Sequence, residues 1–306
     1  VHMDKRKTVT DLKEKIDQSL SNLGIPSSQI LVMVSDNEST MNALGREVDY
    51  IWCGCVDHRL NLVMGSLLKN SSVSEDFKEM RNLIMSFTES SQLALQLELV
   101  QKNNNVEKPL KLLQDVPTRW WSTATMLERL KELKCYIKAL YNLNICNKDL
   151  TDEQWILVDW ICDILAPLAN IQKELEGAVY VTGSLVAPMI SEVMTVLSES
   201  ISNVRKSKLS SNIIQKIEDA IVKMRQVLFG WFGETLDVGY TVGYRQSLVG
   251  IPEPFWLSTI TDPRLKSMIF CSIGVREKVI GLLVNAIIAE LEVGTNGKNN
   301  NDHRVN

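Results

Sequence analysis

Apolar residues recur at helical spacing through most of the chain and at strand-like density only near its start. Leu12, Ile16, Leu20 and Leu23 stand 4, 4 and 3 residues apart, which predicts an amphipathic helix over residues 8–24 ended by Gly24 and Pro26. The run Ile30-Leu31-Val32-Met33-Val34 is continuously apolar and rich in β-branched residues, the pattern of a parallel-type strand covered on both faces. A short helix at 41–48 and a second strand at 50–53 complete the α/β signature.

From there the period is helical over residues 58–69, 76–102, 122–143, 152–175, 183–204, 210–232 and 274–293. Leu127, Leu130, Leu133, Ile137 and Leu140 form one stripe, and Ile213, Ile217, Ile221, Met224 and Leu228 a second. Val279, Leu283, Ile287 and Leu291 form a third. Such stripes are expected to make the core of a bundle, with one of them left as a candidate self-association surface. Thr151-Asp152-Glu153-Gln154 is a capping-type helix start. The polar, Gly/Asn-rich residues 294–306 are expected to be disordered. The organisation read from the pattern is therefore an α/β segment at 1–57, an all-helical segment at 58–293 and a tail.

Composition narrows these options without deciding between them. With 306 residues and 45% hydrophobic positions the chain has enough apolar surface for one large core or two ordinary ones. A net charge of -4 argues against a globally basic nucleic-acid binder, but leaves room for a local basic channel. Lys131, Lys134, Arg119 and Arg129 are candidates for it, as is the cluster Arg205-Lys206-Ser207-Lys208. No run approaches the roughly 18 uninterrupted apolar residues of a spanning helix, so no membrane is expected. The polar start, Val1 to Lys7, does not read as a secretory leader. Six scattered cysteines fit reduced thiols rather than a disulfide framework.

Three blocks contain residues suited to chemistry, and a fourth marks a turn. Val34-Ser35-Asp36-Asn37-Glu38-Ser39-Thr40 places Asp36 at a strand end, where a carboxylate either holds a hard cation or caps the next helix. Cys55-Val56-Asp57-His58-Arg59-Leu60-Asn61-Leu62 offers Cys55 and His58. With Cys53 these make three of the four ligands that a structural zinc ion needs. Asp115-Val116-Pro117-Thr118-Arg119-Trp120-Trp121-Ser122 sets a guanidinium beside two indoles, suited either to phosphate and an unpaired base or to a buried anchor. In Leu257 to Lys266, Asp262-Pro263 forces a turn and Arg264 is placed to pair locally.

In this order the blocks resemble the hAT family of DNA transposases, strongest at 30–62 and 115–133. The resemblance implies a mixed, mainly α fold: a partial RNase H-like α/β core followed by a large all-α insertion domain. It makes Asp36 the second of three catalytic acids, a ligand of Mg2+ or Mn2+ in an intact member. It gives Cys55, His58, Arg59, Arg119 and Trp120 roles near DNA, with Trp120 associated with a flipped base. Thr40 stands where the family has Asn, and Trp121 likewise replaces an Asn.

The first and third acids have no counterpart in this sequence, and one carboxylate cannot place two metals. The expectation is thus a nuclear, transposase-derived module that associates with DNA, with no cofactor of its own and no strand cleavage. The alternative is a domesticated scaffold that self-associates without DNA. A BED-type zinc finger elsewhere in the full-length protein fits either reading.

Overall fold

The computed structural model describes residues 8–299 apart from 31, 37, 117–119, 178–181, 234–235, 239 and 243–246; at 120, 240–242, 247–249, 290 and 292–299 only the backbone is described. In chain order the elements are α1 (Val9–Asn22), β1 (Val32–Ser35), α2 (Ser39–Leu44), β2 (Ile51–Gly54) and α3 (Val56–Leu68). Next come α4 (Ser74–Glu89), α5 (Ser91–Asn103), α6 (Trp120–Asn142), α7 (Asp152–Leu175), α8 (Val186–Lys206) and α9 (Ser211–Phe232). The chain ends with β3 (Tyr240–Val242), β4 (Ser247–Val249), α10 (Glu253–Thr261) and α11 (Ile273–Asn299). Mainly helical, with a small parallel pair near the start, this is the expected class. Two compact units form: one from Val1–Arg59, Leu175–Ser191 and Phe229–Asn306, the other from Leu60–Glu174 and Glu192–Leu228.

In the first unit β1 and β2 pair in parallel, from Val32 opposite Ile51 to Ser35 opposite Gly54. The Thr8 hydroxyl accepts from the Asp11 N–H to cap α1, and Gly24, at φ 68, allows the left-handed turn beyond it. β1 is not covered on both faces as its apolar run predicts: Val34 is 48% exposed. A pair of strands has too little neighbouring surface to bury both faces, and among the described residues no third strand joins them.

This unit also holds residues that the pattern assigned to the helical segment, including the antiparallel pair β3–β4. Helix α10 has no counterpart among the predicted elements. Its Trp256 is fully buried and stacks on Phe270 with centroids 6.3 Å apart. The Thr259 hydroxyl, one turn on, donates to the Ser184 carbonyl at 2.8 Å. α10 ends where Asp-Pro was expected to stop it. The Asp262 carboxylate accepts from the Arg264 guanidinium at 2.7 Å, the Arg264 backbone N–H and the Ser184 hydroxyl. Those bonds, Arg264's first, hold its carboxyl well below the usual range.

α11 departs from expectation twice. It continues through Asn299, into residues read as a disordered tail, because each further helical residue adds a backbone bond once the helix is nucleated. Its apolar stripe is also left uncovered past Val279: Ile287 is 50% and Leu291 64% exposed.

The second unit is the helical bundle the stripes predict. Leu127, Leu130, Leu133, Ile137 and Leu140 of α6 are all buried, as are Ile213, Ile217, Ile221, Met224 and Leu228 of α9. Each such side chain contributes about 1.5–3 kcal/mol. Thr151 and Gln154 make the reciprocal bonds of a capping box at the start of α7. The predicted helix over 76–102 is broken at Ser90, whose hydroxyl caps α5 by accepting from the Leu93 N–H. An alternative hydrogen-bond partner for the backbone wins there over unbroken apolar periodicity.

By length and composition, Asp152–Leu175 and Gly183–Lys206 are apolar enough to cross a membrane, at mean hydropathy 1.2. Half of the first window is buried, and its Asp159 and Asp163 pair with Lys134 and Lys131. Those are the marks of a core helix.

Candidate functional site

The carboxyl end of the parallel pair brings two of the sequence blocks to one place. Asp36 leaves β1 and Cys55 leaves β2, and the Cys55 N–H donates to the Ser35 carbonyl at 2.6 Å. Asp36 is exposed, and its Oδ1 accepts from the Glu38 N–H at 3.3 Å. That is a turn stabilised by the side chain, not the helix cap that was the alternative, since α2 starts from Glu38. α3 follows Cys55 at once and carries His58, half-buried, in its first turn.

Arg59 corrects the sequence reading. It is only 3% exposed, so it does not form part of an open DNA-contacting surface. The helical phase explains this: Val56, Leu60, Val63 and Leu67 are buried along α3, and position 59 lies one turn before Val63 on that side. Its guanidinium carbon sits 5.0 Å from the Trp231 ring centroid and 5.8 Å from that of Phe232. Cys53 is buried beside it. Burial pushes that thiol up to about 11, against the opposing pull of Arg59, so it stays a neutral thiol.

Metal chemistry does not fit this donor set. Among the described residues no three His, Cys, Asp or Glu side chains converge. Cys53, Cys55 and His58 therefore do not form a zinc centre. Asp36 alone cannot supply the roughly six oxygens that Mg2+ or Mn2+ requires.

The strand ends are held by Trp52, whose indole N–H donates to the Ser35 hydroxyl at 2.8 Å. Gly45, just after α2, makes that possible: a Cβ there would meet Trp52 Cγ at 2.5 Å. The obstructing atoms lie at the base of the indole, which cannot swing away as a flexible tip would. Gly45→Ala is expected to cost about 1–3 kcal/mol. Thermal unfolding of the two proteins checks it, and an unchanged midpoint would mean that Trp52 does not hold the strand ends.

In the second unit the Asp115 block is anchored by partners that leave no sign in the sequence. Asp115 accepts from Arg81 Nη2 at 2.7 Å, from Arg81 Nε at 3.2 Å and from the Thr123 hydroxyl at 2.8 Å. The Ser122 hydroxyl donates to the Val116 carbonyl and accepts from the Val116 N–H, tying α6 to the segment before it. Arg119 lies outside the described residues, as does the side chain of Trp120, whose backbone opens α6. Trp121 is 42% exposed. It is not a buried anchor.

Most of the described residues named as candidates for a basic channel are paired with acids. Lys131 pairs with Asp163 at 2.9 Å, Lys134 with Asp159 at 3.0 Å and Arg129 with Glu132 at 3.0 Å. Arg205 pairs with Glu218. Acidic residues on the facing helix had no place in a reading confined to one segment. Of the second cluster, Lys206 and Lys208 stay exposed.

Residues 53–164 match the family model of the ZBED1 RNase-like helical domain. The matched segment contains both the Cys55–Leu62 block and the Asp115–Ser122 block. The chain is also similar to human zinc finger BED domain-containing protein 4, with 26% identity over 166 residues. That alignment takes in 53% of this chain and 14% of the relative, so the chain spans a small part of the relative's length.

Proposed function

We propose that this chain, whose residues 53–164 match the model of the ZBED1 RNase-like helical domain, is a transposase-derived, DNA-associating module. In this reading it acts in the nucleus, carries no cofactor and does not cut DNA by itself. Asp36 is a vestigial catalytic position, because no second and third acid join it among the described residues.

The observation that carries the proposal is Trp121. An indole 42% exposed in the first turn of α6, next to Arg119 and Trp120 in sequence, is available to stack on an unpaired base. The exposed Lys206 and Lys208 can supply a salt-sensitive attraction to phosphate, whereas the α6 lysines contribute little because Asp159 and Asp163 offset them.

Fluorescence anisotropy with a frayed-end duplex, titrated at rising salt, tests this. Wild type is expected to bind less tightly as salt rises. Trp121→Ala is expected to weaken binding by about 5–100-fold, the worth of one stacked base. Wild type that fails to bind at low salt sinks the proposal.

A second reading, a self-association scaffold, is favoured by α11. Ile280, Val284, Ile287 and Leu291 repeat at spacings of 4, 3 and 4 and are 46–64% exposed. Concentration-dependent assembly with no DNA binding would select it.

A further inference from the structure

We propose that the open pocket between α4 and the start of α6 receives an arginine side chain of a partner protein. The pocket lies wholly within the second unit and has a volume of about 260 Å³. That is below the roughly 300 Å³ at which sites for drug-sized ligands begin, and it suits one long side chain. Ile84 and Met126, both buried, and the exposed Met85 give it apolar surface. Thioether side chains adapt to the shape of an occupant. Arg81 and Asp115 also line the pocket, but their 2.7 Å ion pair offsets both charges.

The remaining lining groups call for a cation. Glu89 is the last residue of α4, a helix with no basic residue in its last turn. A carboxylate there stands at the negative end of the helix dipole, the end that favours a positive charge. Among the described residues Glu89 meets neither a hydrogen-bond donor nor a cation. Gln114 adds an acceptor. Its amide N–H donates to the Thr88 hydroxyl at 2.8 Å, and that hydroxyl donates in turn to the Met85 carbonyl at 3.2 Å. The amide is thereby fixed, with its carbonyl oxygen left over. A carboxylate and an amide oxygen beside apolar carbon and sulfur match a guanidinium, whose donors form a planar, weakly hydrated fork on an apolar stem. Leu113 and Val116 flank the lining residues Gln114 and Asp115 in sequence and are 36% and 48% exposed. They offer apolar cover to a peptide laid over the mouth, so the source is a chain and not a free amine. The unpaired negative charge repels phosphate, which sets this pocket apart from nucleic-acid contact.

The probe is the blocked peptide acetyl-Leu-Ala-Arg-Ala-Leu-amide, with citrulline in place of arginine as its uncharged isostere. NMR of the whole chain with isotope-labelled methionine methyl groups reads the pocket directly through Met85 and Met126. The arginine peptide is expected to shift both methyls saturably at millimolar concentration or below. The citrulline peptide is expected to bind about 3–10-fold more weakly, the worth of one exposed ion pair at a helix C-terminus. Glu89→Gln, at an exposed and unpaired position, is expected to keep the fold and to abolish that difference. No saturable shift with millimolar arginine peptide, or equal binding of the two peptides, overturns the proposal. So does a preference for arginine that survives Glu89→Gln. A single-stranded oligonucleotide that moves both methyls at lower concentration than the peptide also overturns it, by giving the pocket to nucleic acid. The DNA-associating role is judged on Trp121 and stands or falls separately.

Discussion

Replacing Trp256 by alanine is expected to cost the first unit about 3–5 kcal/mol. The indole is fully buried, stacks on Phe270 and donates to the Asp237 carbonyl at 3.3 Å. Most of the loss is packing. The same carbonyl also accepts from the Ile251 N–H at 3.2 Å, so it keeps a partner when the indole goes. Trp256→Phe should therefore recover most of the stability, because an aromatic ring still fills much of the space against Phe270. Urea unfolding of the three proteins separates these contributions. A phenylalanine variant as unstable as the alanine variant would mean that the hydrogen bond, not the ring, holds the unit together.

Arg81→Ala is expected to cost about 3 kcal/mol and to loosen the segment that leads into α6. The charge left behind is the reason. The Asp115 side chain is 8% exposed, and without Arg81 it keeps, among the described residues, only the Thr123 hydroxyl as a side-chain donor. Burial works to raise the Asp115 pKa, but the Arg81 and Thr123 hydrogen bonds and the Arg81 charge outweigh it, and the carboxyl sits below its ordinary value.

A depressed folded-state pKa means that the unfolded chain takes up this proton first as acid is added. The pair's contribution is then complete above the unfolded value of about 3.9 and disappears as pH falls through the lower folded value. Wild type and Arg81→Ala should differ by a constant amount from about pH 6 to 8 and converge as pH falls below about 4. Denaturant midpoints measured across that range check it. A gap that does not shrink in acid would place the effect in lost packing of the arginine stem instead. Trp121 stacking should weaken together with the anchor, since Asp115 and Ser122 fix the start of α6 from both sides.

Much of this architecture is legible in the order of residues. The helical periods of α6 and α9 specify the bundle because burial is what stabilises their apolar stripes, whereas the stripe of α11 stays largely exposed. The β-branched run at 30–34 reads as a parallel-type strand, 50–53 as a second strand and Asp262-Pro263 as a turn, because those choices depend on neighbours a few residues away. Ser90 shows where local reading slips: the periodicity around it says helix throughout, while its own hydroxyl offers a cap. α10 carries no clear periodic signal, because the nine residues around Phe255 and Trp256 are too few for a period to stand out.

The candidate site divides along the same line. Residue order alone places Asp36 just after one strand, Cys55 just after a second, and the Asp115–Ser122 block ahead of a long helix; that the two strands pair is decided by the tertiary structure. Long-range packing settles the rest: Arg59 buried against Trp231 and Phe232, Arg81 on Asp115, Asp159 and Asp163 offsetting the α6 lysines, and Gly45 making room for Trp52. The physical reason is range. Backbone propensity, capping and amphipathic period act within about one or two helical turns. A buried charge is set by whichever distant segment packs against it, and the long stretch of chain between Arg59 and Trp231 leaves no local trace of that meeting.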